Sequence, residues 1–199
     1  YRLGFHLFEL GCVAESWRTV KEVALASMRK FTEECGEPIY LAKLVNDYVL
    51  LIASSEIVRT VRISALVGSR LPLYCSSQGK MILAHLPPSE ISAYLKACRF
   101  HPFTPHTITN PNQLQRQLHQ IRLQGYSISN EELRTGAASV AAPIFDKEGR
   151  CEYAVGAVVP ILKSKENPVR PAIRDLVLSV AAEITRQLQG PAGWNGRDT

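Results

Sequence analysis

Long apolar runs, paired cysteines and catalytic signatures are missing from this chain, and each absence narrows what it can be. No apolar stretch reaches the roughly 18 residues that a membrane-spanning helix needs. The five cysteines fall at positions 12, 35, 75, 98 and 151, odd in number, widely spaced and without a Cys-x-x-Cys pair. That pattern argues against a disulfide framework and for small buried thiols in a reducing, cytoplasmic compartment. There is no Gly-x-Ser-x-Gly elbow, no His-Glu-x-x-His and no phosphate-binding loop. A serine-hydrolase elbow, a zincin helix and a nucleotide cradle are therefore not readable here, and no cofactor is implied. Internal repeats and low-complexity tracts are absent too. The opening Tyr1-Arg2-Leu3-Gly4 is neither a start methionine nor a basic n-region, and it reads as the interior of a longer chain.

What is present is the composition of a globular protein: 46% hydrophobic and 21% charged residues, ordinary values for a soluble domain. A length of 199 residues suits one core-forming domain with helical appendages. The net charge of +5 and pI near 9.0 raise the question of nucleic acid. The basic residues are dispersed, however, and Arg59, Arg62 and Arg70 form the only loose cluster. A solvated surface is the better reading of that charge.

Periodicity divides the chain into elements. Residues 2–15 place Leu3, Leu7, Leu10 and Val13 on one helical stripe, which needs a partner surface. A second helix over 17–35 lines up Val20, Val23, Ala24, Met28 and Phe31 and stops at Cys35-Gly36-Glu37-Pro38. Ile39–Leu44 and Val49–Ala53 read as strands around an Asn46-Asp47-Tyr48 turn, and Ile57–Ala65 as a third strand. Residues 68–75 are extended and proline-broken, and they feed an apolar helix over Met81–Leu86. Pro87-Pro88 closes that helix, and Ser89 is expected to cap the next. Asn110-Pro111 predicts a helix start and Gly125 its end, with Leu114, Leu118 and Ile121 inward. After a short strand at 126–129 come two apolar strands, 137–145 and 151–159, which scarcely alternate and should be covered on both faces. A last helix buries Ile173, Leu176, Val177, Val180, Ile184 and Leu188. Residues 191–199 read as a loose tail. Strand clusters separated by helices indicate an α+β fold with an antiparallel sheet covered by helices.

Two stretches stand out as binding candidates. Cys75-Ser76-Ser77-Gln78-Gly79 leads small polar residues into a helix, whose first amides lack internal partners and whose dipole favours an anion. It is either a seat for a carboxylate or a plain serine cap. Ser129 and Ser139 sit on strands, where a serine is either satisfied by backbone or points into a cavity. Glu131-Glu132 is a carboxylate pair whose adjacent side chains should diverge, so it does not suit paired acid–base work. Cys75 ahead of a helix could carry a lowered pKa, but no base for a nucleophile is legible. Cys98, His101 and His106 have zinc-ligand chemistry without the four-ligand spacing of structural sites, and solvated loop histidines are the plainer reading. No metal site is assigned.

Several segments, in order, carry a resemblance. They are Tyr1-Arg2-Leu3-Gly4 with Phe8-Glu9-Leu10-Gly11; then Val67-Gly68-Ser69-Arg70-Leu71-Pro72-Leu73-Tyr74-Cys75 with Gly79-Lys80; then Gly125-Tyr126, Glu131-Glu132, Gly136 and Val140-Ala141-Ala142-Pro143-Ile144-Phe145-Asp146 with Gly149. Together they resemble the effector-binding half of the IclR family of bacterial transcription regulators, from residue 1 to about 190. The resemblance implies a GAF-like, profilin-like antiparallel sheet flanked by helices. Residues 1–16 would be a linker helix from an N-terminal winged helix-turn-helix domain outside this chain, and 17–190 the effector-binding domain. By position it implies a pocket wall of Ile63 and Leu71, helix-start amides at Ser77 and Gln78, then Ser129, Ala137 and Ser139, and Ala157 and Val159 from the last strand. Serine at 129 and 139 departs from members that sense short organic acids, which carry an acidic residue and a cysteine there. The implied partners are a small effector, expected to be a carboxylate, a second or further copies of the chain as homodimer or homotetramer, and operator DNA through the upstream domain only. The chain is then a sensing domain and not an enzyme. A dimerisation module with a vestigial pocket and a GAF-like cysteine enzyme are the alternatives.

Overall fold

The computed structural model describes residues 15–56, 65–161 and 169–190. Helix α1 runs over Glu15–Cys35. Val20, Ala24, Met28 and Phe31 recur at three- and four-residue steps, so they share one face, and all four are buried. The chain then enters a hairpin of β1 (Ile39–Val45) and β2 (Tyr48–Ser55). Its turn is the Asn46-Asp47 pair, with Asn46 at a φ of 53°, a conformation asparagine tolerates better than most residues. The third strand, β3, is Arg70–Pro72 and pairs with the start of β2. It comes from the segment read as extended and proline-broken. The strand expected over 57–65 lies outside the described residues except for Ala65, which is in no strand.

Three helices follow. Helix α2 spans Ser77–Leu83 and so starts earlier than the expected Met81. The reason is local: Ser76 is extended and its Oγ accepts from the Gly79 amide at 3.2 Å, which nucleates the first turn four residues upstream of the apolar run. Helix α3, Pro88–Ala97, is capped at Pro87 and not at Ser89. Pro88 fits the first helical position because its missing N–H would have no partner there anyway. Helix α4, Pro111–Gln124, begins as the sequence indicates: Asn110 Oδ1 accepts from the Asn112 and Gln113 amides, and Gly125 ends the helix in the left-handed region. Strands β4 (Ser127–Asn130), β5 (Ala137–Ile144) and β6 (Tyr153–Pro160) and helix α5 (Pro171–Gln189) complete the chain.

All six strands pair antiparallel in the order β3-β2-β1-β6-β5-β4. The fold is α+β, with helices on both faces, as expected. Helices α1 and α5 cover one face through Met28, Phe31, Val177 and Ile184, packed on Leu41, Val140, Val155 and Ala157. Helices α2 and α4 cover the other through Met81, Ile82, Leu83, Leu114 and Leu118, packed on Tyr40, Val49, Leu51 and Ala154. Strands β5 and β6 are central and buried on both sides, which explains why neither alternates in sequence. The expected linker helix over 1–16 and the tail over 191–199 lie outside the described residues, apart from 15 and 16, which open α1.

Candidate functional site

The central strands set up one row of side chains under α2. In register, Ser129 of β4 lies opposite Ser139 of β5, which lies opposite Val158 of β6. Cross-strand neighbours share a face, so these three project together. Above them Gln78 of α2 lies flat on the sheet. Only a glycine permits this: a Cβ at Gly156 would come within 2.9 Å of both the Gln78 amide and the Val140 carbonyl oxygen. Helix α2 itself is drawn in by Gly79, where a Cβ would meet Leu73 Cα at 2.6 Å. The close approach that Gly79 allows is thus to backbone and not to a ligand.

A cavity of about 100 Å³ opens between this row, α2 and the loop 131–136. Leu71, Gln78, Ser129, Ala137 and Ser139 line it, five of the nine residues expected at the pocket. Ser76, Ala65, Leu133, Arg134, Ala138 and Val158 complete the wall. Ser77 is fully buried beside it: its hydroxyl donates to Gln78 Oε1 at 3.2 Å, and its carbonyl accepts from the Ser127 hydroxyl. Ala157 and Val159 belong instead to the core under α1 and α5. That corrects the expectation by one residue: side chains alternate along β6, and Val158 is the one that faces the cavity. Ile63 lies outside the described residues.

The polar inventory of the wall is one-sided. The Ser129 hydroxyl donates to the Cys75 carbonyl at 2.9 Å, which fixes its rotamer. Gln78 uses its oxygen on Ser77. Its Nε2 donors and the Ser139 hydroxyl have no hydrogen-bond partner among the described residues. Arg134 stands on the exposed rim with its guanidinium likewise unpaired. Among the described residues the lining contains no carboxylate.

The rim loop is held tightly. Glu131 N donates to Ala137 O at 2.9 Å, and Gly136 N to Glu131 Oε1 at 2.6 Å. The Thr104 and Thr107 hydroxyls donate to the carbonyls of Glu131 and Glu132, both at 2.6 Å. These contacts hold Glu131 at a φ of 56°, costly for a residue with a Cβ. Glu132 turns inward to Lys80, which is completely buried. Lys80 Nζ also donates to Gln117 Oε1 at 3.0 Å and to the Ile128 carbonyl at 2.8 Å. Its three donors are therefore spent on α4, β4 and the loop. Burial pulls the Lys80 pKa down, opposed by the Glu132 charge, and burial pushes the Glu132 carboxyl up, opposed by Lys80. The two neighbouring carboxylates diverge, as read: Glu131 Oε2 lies 3.7 Å from His106 on the exposed side. Sequence reasoning assigned Lys80 no role beyond its place in the Gly79-Lys80 motif, and it did not single out Arg134.

Cys75 is buried, and burial pushes its thiol up to about 12. A thiolate nucleophile there would be heavily disfavoured. Cys98 and His101 line a separate open groove of about 560 Å³ with Tyr74, Tyr94, Arg70 and Arg99. His106 is beside Glu131 instead, and no group of three metal-ligating side chains occurs among the described residues.

A family model described as the C-terminal domain of the bacterial transcriptional regulator IclR matches residues 14–186. The HTH-type transcriptional regulator BhcR of Paracoccus denitrificans is 34% identical over 164 residues, 82% of this chain and 58% of that protein. The chain thus spans little more than half the length of that relative. The crystal structure of Thermotoga maritima IclR superposes with a TM-score of 0.82 at 30% identity, covering 94% of this chain and 75% of that one. An IclR homolog from Microbacterium hydrocarbonoxydans, crystallised in complex with 4-hydroxybenzoate, gives 0.83 at 29% identity, with the same two coverages of 94% and 75%.

Proposed function

Because the chain belongs to the IclR family of bacterial transcriptional regulators through its C-terminal domain, we propose that it is the effector-sensing part of such a regulator and not an enzyme. The cavity between the Ser129–Ser139–Val158 row and α2 carries this reading, since a tied-down loop rims it and its wall carries donors without partners among the described residues. Its effector is a small organic acid. A cavity of about 100 Å³ is several times what one water needs, which is room for a small acid, and a short aliphatic acid is the first reading. An aromatic acid is the second reading, favoured by the hydroxybenzoate complex of the Microbacterium homolog.

Effector binding shifts the balance between two arrangements of the full regulator, and it does so only by its difference in affinity for them. In this reading the response reaches DNA through a winged helix-turn-helix domain joined ahead of residue 16, in a homodimeric or homotetrameric cytoplasmic protein. Thermal-shift screening of the chain against short aliphatic acids and hydroxybenzoates tests it. A ligand at a hundred times its Kd stabilises by about 2.7 kcal/mol, a readily measured rise in Tm. One acid class should raise Tm, and Ser139→Trp, which fills the cavity, should abolish the rise. A rise that survives Ser139→Trp would move the site elsewhere. No rise with any acid would favour a dimerisation module with a vestigial pocket.

A further inference from the structure

We propose that Arg134 is the specificity-determining residue of the cavity: it pairs with the effector's negative group and makes the site reject neutral analogues. The inference rests on the cavity reading above. Three observations carry it. First, among the described residues the wall offers donors and one cation but no carboxylate, so an anionic ligand meets a charge to pair with and none to repel it. Second, the acids that could have neutralised Arg134 are already engaged. Glu132 is turned inward to Lys80, and Glu131 is turned to the Gly136 amide and His106. The guanidinium therefore remains available for an incoming anion, and its planar fork matches a carboxylate.

Third, the loop that carries Arg134 is preorganised. Its backbone is tied to Ala137, Thr104 and Thr107, and its Glu132 side chain is locked on a fully buried lysine. A fixed backbone removes the cost of ordering the loop and leaves only that of ordering the Arg134 side chain. Lys80 and Glu132 are accordingly positioning residues. They touch no ligand, and they act by holding the rim.

The test uses matched acid and amide pairs, isobutyrate with isobutyramide and 4-hydroxybenzoate with 4-hydroxybenzamide, titrated calorimetrically into the 199-residue chain at pH 7.5. The wild type should bind the acid of at least one pair about tenfold or more tightly than its amide, the scale of one charge-assisted pair. Arg134→Gln should erase that gap while leaving amide affinity unchanged, and Arg134→Lys should restore part of it. Arg134 is exposed, so a folding failure is not a concern, and an unchanged Tm without ligand checks this. A gap that persists in Arg134→Gln, or an equal loss for acid and amide, overturns the assignment while leaving the cavity reading intact. Acid binding that survives Ser139→Trp overturns the cavity reading and this one with it. So does a wild type that binds none of the four probes.

Discussion

The two faces of the sheet are built on opposite terms. Under α1 and α5 the buried side chains are aliphatic or aromatic, and the buried polar exceptions on α1 are the hydroxyls of Ser27 and Thr32. Thr32 is satisfied locally, donating to the Met28 carbonyl at 2.9 Å. Under α2 and α4 the same sheet supports a buried lysine, a buried glutamate with one oxygen unpartnered, a buried glutamine and a cavity. A buried polar atom left unpaired costs about 1–3 kcal/mol, and more when it carries charge. The contrast teaches that the first face supplies stability, which the second spends on a polar site.

Breaking the buried pair should give the largest effect. Removing one partner strands the other charge in the interior, so Lys80→Met or Glu132→Leu alone should cost about 4 kcal/mol in urea unfolding. The double variant should recover much of that, because no charge is left unpaired. It should not recover all of it, since the Ile128 carbonyl and Gln117 lose their donor. A double variant as unstable as the sum of the singles would show that Lys80 and Glu132 do not act as a pair.

On the opposite face, Ile184→Ala removes a fully buried side chain of α5 and should cost about 3 kcal/mol. Stability then falls almost as far, yet effector affinity should not change, because Ile184 packs on the side of the sheet away from the cavity. An affinity loss in this variant would erase the division between the faces.

That division also sorts what was legible in the sequence. The apolar face was read well: the stripes of α1 and α5 follow helical periodicity, and packing against a sheet demands nothing more. The caps of α4 were equally plain, because Asn110-Pro111 and Gly125 act through their own backbones. The polar face was read less well, for physical reasons. Strand β6 is buried on both sides, so its sequence has no alternation from which to choose between Ala157, Val159 and Val158. Lys80 looks like a surface residue until Glu132, 52 positions away, supplies a reason to bury it. Arg134 sits in a polar link between strands, where nothing local distinguishes a rim residue from a solvated one. Ser129 and Ser139 drew attention in the sequence because small polar residues among apolar neighbours need an explanation, and Gln78 because it opens a helix; all three line the cavity.

A smaller perturbation falls where the sheet meets the cavity roof. Gly156→Ala introduces a Cβ within 2.9 Å of the Val140 carbonyl oxygen, which is backbone and cannot swing away. Overpacking of this kind should cost about 2 kcal/mol. The same Cβ pushes Gln78 off the sheet, so effector affinity should fall in step, unlike in Ile184→Ala. Equilibrium unfolding and calorimetry on the same sample separate the two outcomes. Lost stability with unchanged affinity would remove Gln78 from the site.

The smallest effect is a pH dependence that only the polar face should show. His85 follows α2, its Nδ1 bonded to the Met81 carbonyl at 2.9 Å and its ring edge-on to Phe145 at 5.3 Å. Burial lowers its pKa; the Met81 carbonyl opposes this, and Arg122 adds to it. The folded protein therefore holds His85 neutral over a range where the unfolded chain, at about 6.5, already binds the proton. Protonation favours the unfolded state there. Stability from this residue is complete above the unfolded value, declines as pH falls below about 6.5, and levels off beneath the folded pKa. Urea midpoints for the wild type and His85→Phe from pH 7.5 to pH 5 would isolate it, since the two proteins differ at this one residue. The wild type should lose more stability on acidification. Parallel curves would mean that the His85 proton is not coupled to folding.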